Sequence, residues 1–197
     1  MSNRTAAIDR KTKETQIELT VDLDGAGEVR AKTGIGFLDH MLDLLGKHSL
    51  TDLAVKARGD LHVDDHHTAE DVGICFGQAV AKALGDKAGI RRYGSASVPM
   101  DEALADVSLD LSGRPAMVFN VRFAGDKIGT FDVQLVEEFL RAVANHAGMN
   151  LHVNVPYGSN DHHVAEAVFK AVAQALRGAK SIDPGRKGQV PSTKGSL

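Results

Sequence analysis

Alternating apolar and polar residues predict β-strands in both halves of the chain. Residues 17–23 read Ile-Glu-Leu-Thr-Val-Asp-Leu, a period of two that places every second side chain on one face of a sheet. We expect strands at residues 15–23, 27–32 and 52–58 in the first half, and at 105–111, 116–122 and 150–155 in the second.

Apolar residues spaced three or four positions apart predict two helices in each half. The shorter helices are expected at residues 36–47 and 131–146, and the longer helices at residues 66–84 and 161–176. Polar residues that can cap a helix precede the longer pair, at 64–65 and 159–161. Gly85 and Gly178 follow that pair as expected helix ends.

One motif of potential metal ligands occurs twice. Residues 65–70 read Asp-His-His-Thr-Ala-Glu and residues 161–166 read Asp-His-His-Val-Ala-Glu, 96 positions further on. The similarity extends upstream, where residues 47–55 align with 145–153. We therefore predict an α+β fold made by tandem duplication of a half-domain with a small sheet and two helices. The first repeat is placed at residues 1–90, and the second repeat with a basic tail at 91–197.

The spacing of this motif suits metal binding. In a helix, His, His and Glu at positions i, i+1 and i+4 share one side. Imidazole and carboxylate together suit Mn, Fe or Zn, and Cys75 is the only source of thiolate. A single His-His pair would be interpreted as a solvated helix start, but two matched pairs indicate a site for more than one ion. The repeat also aligns His40 with Glu138, and the candidate ligands become His40, His66, His67, Glu70, Glu138, His162, His163 and Glu166.

Composition narrows the class of protein. The chain has 197 residues, 43% of them hydrophobic, no Trp and a formal net charge of −3, which argues against general nucleic-acid binding. One cysteine excludes an internal disulfide and suits a reducing cytosol, so we expect a cytoplasmic protein with Cys75 in the core. The sequence contains no apolar run that would predict a signal peptide or a membrane span.

The C-terminal segment is basic. Residues 170–197 contain six Lys or Arg residues and one acidic residue, with Gly, Ser and Pro near the end. Backbone amides, hydroxyls and ammonium groups of this kind suit a phosphate group. The alternative is a frayed basic tail that binds nothing.

Several longer motifs resemble those of one enzyme family. They are Arg10-x-Thr12-x-Glu14-Thr15, the stretches 36–42, 64–71, 108–115 and 158–167, and Pro191-Ser192-x-Lys194-Gly195. Over essentially its full length the chain resembles the imidazoleglycerol-phosphate dehydratases of histidine biosynthesis. The resemblance implies a fold like that of domain 2 of ribosomal protein S5 and two Mn²⁺ ions per active site. It also implies a homo-oligomer of 24 subunits, with active sites shared between subunits.

The resemblance further implies a reaction and roles for individual residues. D-erythro-imidazole glycerol phosphate would lose water to give imidazole acetol phosphate, through a dimetal-bound imidazolate and a diazafulvene. Proton transfer is expected from Glu14, Asp101 or Glu166. The family's substrate-binding pattern falls on Glu14, Arg92, Arg114, Lys170, Ser192 and Lys194.

Two positions differ from some relatives. Some relatives carry His where this chain has Glu138, and a polar residue where it has Leu44; a carboxylate at 138 still suits manganese.

Two other functions are alternatives to the dehydratase. The first is a two-metal phosphoesterase or amidohydrolase that activates water. The second is an assembly that buffers manganese or zinc without turnover, which would not need Arg114 or Lys194.

Overall fold

Two similar α+β halves make up the protein in this computed structural model, which describes residues 4–197. The helices are α1 (Gly36–Ser49), α2 (His66–Leu84), α3 (Gln134–Ala147) and α4 (Asp161–Lys180). The strands of the first half are β1 (Thr5–Lys11), β2 (Thr15–Asp22), β3 (Val29–Lys32) and β4 (Asp52–Gly59). Those of the second half are β5 (Tyr93–Met100), β6 (Ala103–Asp110), β7 (Ala116–Asn120), β8 (Lys127–Ile128), β9 (Phe131–Asp132) and β10 (Asn150–Tyr157).

The two four-stranded sheets have the same topology. Their strand orders are β1-β2-β4-β3 and β5-β6-β10-β7. In each sheet the first three strands are antiparallel, and the last one, β3 or β7, runs parallel to its neighbour. The second half adds the short hairpin β8–β9. The predicted α+β class and its duplication are confirmed, because both halves repeat one order and one set of strand directions.

The helices pack across the two halves. The long helix α2 covers β1 and β2, and the long helix α4 covers β5 and β6. Each short helix packs on the long helix of the other half, α1 on α4 and α3 on α2. One hydrophobic core therefore contains buried residues of both repeats. The boundary between residues 90 and 91 stays a prediction about the repeats.

The pattern of apolar residues missed β1, β5 and the short hairpin β8–β9. β1 and β5 lie at sheet edges and carry small or polar residues, so neither has a strong apolar alternation. β5 instead lies very close to α4. A Cβ atom added at Gly94 would be 1.9 Å from the carbonyl oxygen of Ala175, which leaves no room for a side chain. Gly94 thus allows β5 to lie close to α4.

Two predicted helix ends were also wrong. α3 begins at Gln134 and not at residue 131, because Phe131 and Asp132 form β9. α4 does not stop at Gly178 but continues to Lys180, whose side chain is buried. The Lys180 ammonium donates hydrogen bonds to the carbonyl oxygens of Leu23 and Leu50 in the first half. Burial lowers the pKa of Lys180 to about 8.

Other local expectations agree with the structure. The Asn160 side chain caps α4 by accepting from the backbone N–H groups of His162 and His163, and α2 ends at Gly85. Cys75 is fully buried, and burial raises the pKa of its thiol to about 11. Among the helices of residues 4–197, none has the length and apolar character needed to cross a membrane.

Two glycines allow α2 and α3 to approach closely. A Cβ atom at Gly73 would lie 2.7 Å from the carbonyl oxygen of Phe139, and one at Gly77 would lie 2.7 Å from that of Val143. Both obstacles are backbone atoms, which cannot move without shifting α3. We therefore infer that Gly73 and Gly77 set the distance between these helices.

We expect Gly73→Ala to lower the free energy of unfolding by about 1–3 kcal/mol, because overpacking outweighs the better helix propensity of Ala. Gly178→Ala in α4 is the matched control, since an added Cβ there would lie 3.7 Å from the Cα atom of Gly94, an ordinary contact distance. That change should be neutral or stabilising by up to about 1 kcal/mol. Thermal or urea unfolding of both variants measures the difference. Equal stability of the two variants would contradict this packing argument.

Candidate metal centre and basic tail cavity

Three predicted metal ligands meet where α1 contacts α4. His40 Nε2 lies 2.8 Å from Glu166 Oε1, and His162 Nε2 lies 3.0 Å from the same oxygen. One ligand atom from each residue falls within 4.8 Å of the other two. We call these three residues the α1–α4 cluster; it takes ligands from both repeats.

Local structure explains this convergence. His162 and Glu166 are one helical turn apart on α4 and share a face. His40 lies in the first turns of α1, which packs on α4. The Phe37 ring packs edge-on against the imidazoles of both histidines, with centroids 6.4 Å from His40 and 5.3 Å from His162. An aromatic wall therefore limits the motion of both rings.

Glu166 is a buried carboxylate held in its charged form. Glu166 is 7% exposed, and this burial alone would raise the pKa of its carboxyl group. Hydrogen bonds from Lys170, His40 and His162 outweigh burial and hold the pKa at about 2. Lys170 Nζ donates to Oε2 over 2.6 Å, while the two histidines share Oε1. Glu166 is thus ionised at neutral pH and available as a metal ligand.

The donor set of the α1–α4 cluster fits a divalent transition metal. Two imidazole nitrogens and one carboxylate oxygen are the borderline ligands that Mn, Fe and Zn accept. The short span between the ligand atoms brings all three within reach of one ion. Three ligands from one subunit leave positions for a further ligand and for substrate.

The repeat-related set is not assembled in the same way. His66 and Glu70 lie on α2 and Glu138 lies on α3, which pack together. Across residues 4–197, the α1–α4 cluster is the one group of three ligand atoms within 4.8 Å. The two sets also differ in their donors: His40 and His162 both donate to Glu166, whereas the other set has two carboxylates and one imidazole. The metal roles of His66, Glu70 and Glu138 stay predictions.

The two histidines of each motif hold their rings in different planes. The rings of His162 and His163 are nearly perpendicular at 82°, and those of His66 and His67 at 80°. Each second histidine is held at Nδ1 by a carboxylate. His67 Nδ1 lies 3.0 Å from Asp60 Oδ2, and His163 Nδ1 lies 2.7 Å from Glu102 Oε2.

Sequence reasoning missed both carboxylates. Asp60 follows β4, and Glu102 lies in the turn between β5 and β6. The one available signal was chemical, because a metal-binding His usually bonds a carboxylate or carbonyl through its other nitrogen. The hydrogen bond to Asp60 raises the pKa of His67, and the bond to Glu102 raises that of His163.

The candidate proton carriers Glu14 and Asp101 occupy corresponding hairpin turns. Glu14 lies between β1 and β2, and Asp101, with φ of 48°, lies between β5 and β6. Glu14 Oε1 is 3.9 Å from His67 Nε2, and Asp101 Oδ2 is 3.7 Å from His163 Nε2. Both side chains are largely exposed, at 54% and 71%. They are therefore accessible to a bound molecule.

A buried network fixes the turn that carries Glu14. Thr12 Oγ1 accepts hydrogen bonds from the backbone N–H groups of Glu14 and Thr15. Thr15 Oγ1 and the Arg10 guanidinium both donate to Asp71 on α2. The turn is thus tied to the helix that carries His67. Sequence reasoning assigned no role to Asp71.

The C-terminal tail folds back to form a basic cavity. Its backbone bonds to the segment that joins the two halves, from Gly89 N to Gln189 O and from Asp183 N to Gly89 O. The cavity has a volume of about 570 Å³. Four of the predicted substrate-binding residues line it, namely Arg92, Arg114, Ser192 and Lys194. The bonded tail argues against the frayed alternative.

Two of the predicted phosphate residues have other partners. Arg92 makes a forked ion pair with Asp110, with distances of 2.6 and 2.9 Å, and its remaining Nη1 donates to the carbonyl oxygen of Pro191. The arginine fork expected for phosphate therefore anchors the tail. Lys170 lies against Glu166 and Met100, and does not line the basic cavity. These contacts leave Arg114, Ser192 and Lys194 as the strongest candidates there.

Comparisons with known proteins agree on one family. A sequence model described as imidazoleglycerol-phosphate dehydratase matches residues 33–176. An imidazoleglycerol-phosphate dehydratase of Rhodopseudomonas palustris is 62% identical, over 98% of both chains. The crystal structure of that enzyme from Staphylococcus aureus has a TM-score of 0.83 and 41% identity, covering 91% of this chain and 99% of the other. The structure of IGPD from Pyrococcus furiosus has a TM-score of 0.83 and 35% identity, covering 96% and 100%.

We expect His40→Ala to weaken Mn²⁺ binding by at least about tenfold, because it removes one of three clustered ligand atoms. His152→Ala, an exposed histidine on β10, is the control and should bind as the parent does. Metal content after dialysis, measured by plasma mass spectrometry, reports both. Unchanged metal in His40→Ala would show that the α1–α4 cluster holds no ion.

Proposed function

The chain belongs to the imidazoleglycerol-phosphate dehydratase family and is a hydro-lyase of histidine biosynthesis; we propose that it works as a two-manganese enzyme. In this proposal it converts D-erythro-imidazole glycerol phosphate to imidazole acetol phosphate and water. The α1–α4 cluster is the observation that supports metal dependence most strongly, because three ligand atoms converge from two repeats.

We propose that each ion is held by corresponding residues of the two repeats. His40, His162 and Glu166 would hold one ion, and Glu138, His66 and Glu70 the other. Glu138 adds negative charge to its site, which lowers the Lewis acidity of an ion there relative to a histidine ligand. When bound, manganese would supply an electrophile that acidifies the imidazole N–H of the substrate.

Proton transfer would fall to the two hairpin carboxylates. Glu14 and Asp101 are exposed and lie near the Nε2 atoms of His67 and His163. Glu166 has both oxygens engaged and a pKa of about 2, which suits a ligand better than a proton carrier. The substrate C–H is not flanked by a carbonyl group, so departure of the hydroxyl must precede its loss. A carboxylate then removes this proton, and the resulting enol becomes the ketone.

The basic tail cavity would bind the substrate phosphate. Arg114, Ser192 and Lys194 combine a guanidinium, a hydroxyl and an ammonium group around one space. Such charge-assisted bonds hold a phosphate dianion without taking part in the chemistry at the imidazole. Arg92 would act by anchoring the tail through Pro191. Lys170 would neutralise Glu166 and approach the substrate only if that ion pair opens.

We also propose that active sites form between subunits of a homo-oligomer of 24 chains. His67 and His163 are held at Nδ1 by Asp60 and Glu102, and neither belongs to the α1–α4 cluster. A histidine that its own subunit's cluster does not use suits the open position of an ion held by another subunit. Ligands shared in this way would couple metal binding to assembly.

Turnover should require manganese. Protein stripped by a chelator and then dialysed is expected to show no dehydration of imidazole glycerol phosphate, and added Mn²⁺ should restore it. The product ketone is measured spectrophotometrically, and free phosphate is measured in parallel. Ketone formed without phosphate release supports the proposal.

Two other outcomes would contradict it. Phosphate release without ketone would indicate the two-metal hydrolase, and bound Mn²⁺ without either product would indicate a metal buffer.

Asp110→Asn loosens the Arg92 anchor but leaves the α1–α4 cluster intact. It should therefore bind metal normally while losing apparent substrate affinity.

A further inference from the structure

The two halves orient their second histidines by different means. In the second half the orienting carboxylate, Glu102, directly precedes the second strand of the sheet. The residue at the corresponding place in the first half is Glu14, which lies near His67 Nε2 and not Nδ1. There the orienting carboxylate is Asp60, beyond the end of β4. Inheritance from a duplicated ancestor does not explain this match, because the two carboxylates come from unrelated places in the repeat.

We propose that Asp60 and Glu102 are positioning residues that set the tautomer and direction of His67 and His163. This inference rests on the proposed metal roles of those two histidines. A neutral imidazole has one N–H and one lone pair. A carboxylate at Nδ1 accepts the N–H there, which leaves the lone pair on Nε2. Nε2 is then the atom able to bind a metal ion.

Glu102 also orders the chain that precedes α4. Its Oε1 accepts from the backbone N–H groups of Ser159, over 3.0 Å, and Asn160, over 2.7 Å. Its Oε2 accepts from His163 Nδ1. One carboxylate therefore fixes the start of the helix with one oxygen and the histidine with the other. The segment before α4 and the His163 imidazole are therefore held in a fixed position relative to each other.

Because the two oxygens of Glu102 have different partners, Glu102→Gln tests the proposal directly. The glutamine oxygen should remain on the two backbone N–H groups, because an NH₂ group there would face two donors. Its NH₂ group then faces His163 Nδ1 and can only donate. The imidazole proton must move to Nε2, where it blocks metal binding. The change thus inverts the tautomer while it keeps size and the backbone contacts.

Asp60 provides an independent second variant. Its Oδ2 bonds His67, and within residues 4–197 no hydrogen-bond donor reaches its buried Oδ1. Asp60→Ala therefore removes the histidine partner without breaking a side-chain bond to the backbone. This variant keeps the proposal falsifiable if Glu102→Gln folds poorly. Glu18→Gln is the control, since Glu18 is an exposed strand carboxylate near Lys56.

The experiment measures Mn²⁺ affinity of the assembled full-length protein by titration, with circular dichroism as a check on folding. We expect Glu102→Gln and Asp60→Ala each to bind Mn²⁺ about 10- to 100-fold more weakly, the usual effect of losing an outer-shell partner. Glu18→Gln should bind as the parent does. In ¹⁵N-histidine-labelled, chelator-treated protein above neutral pH, Glu102→Gln should convert one Nδ1–H signal in the solid-state spectrum to an Nε2–H signal.

Two results would overturn the proposal, and they are distinct from failure of the metal assignment. Parent-like Mn²⁺ affinity in both folded variants would show that the carboxylates hold loops only. An unchanged ¹⁵N spectrum in Glu102→Gln would contradict the tautomer argument. His163→Ala tests the premise: if it binds Mn²⁺ as the parent does, the ligand role itself fails. If His163→Ala loses metal and Glu102→Gln does not, the failure is confined to the positioning role.

Discussion

The charged carboxylate of Glu166, buried where the two repeats meet, is the constraint on which the rest of the site depends. A buried charge is tolerated only with partners, and Glu166 obtains them from α1 through His40 and from its own helix through His162 and Lys170. The cluster therefore exists only if α1 and α4 pack as they do. The packing of α1 on α4 therefore also assembles the candidate metal site.

Duplication explains how so small a chain can offer so many candidate ligands. Each repeat contributes a long helix with a His-His-x-x-Glu motif and a short helix that packs on the long helix of the other repeat. The two sets differ at one position, where His40 corresponds to Glu138. One set therefore joins two imidazoles to one carboxylate by hydrogen bonds, whereas the other contains two carboxylates and one imidazole. We expect the two proposed metal positions to differ in affinity for this reason.

Much of the fold follows from the sequence, because its signals are local. The alternation in residues 17–23 predicted a strand with one buried face, and β2 lies there. The apolar stripes around Leu42 and Phe139 likewise predicted helices with one buried face, and α1 and α3 contain these residues. β5 left no such signal, since Gly94 packs by having no side chain. At the site, the ligand motifs were readable as spacing on one helix. The partners Asp60, Glu102 and Asp110 were not, because each reaches its target through the tertiary fold.

The most direct test of this account is anomalous diffraction from crystals grown with Mn²⁺, with data on both sides of the manganese absorption edge. We expect a peak within bonding distance of His40 Nε2, His162 Nε2 and a Glu166 oxygen. A second peak is expected at His66, Glu70 and Glu138. A difference map without a peak between α1 and α4, in crystals that contain manganese elsewhere, would contradict the central claim.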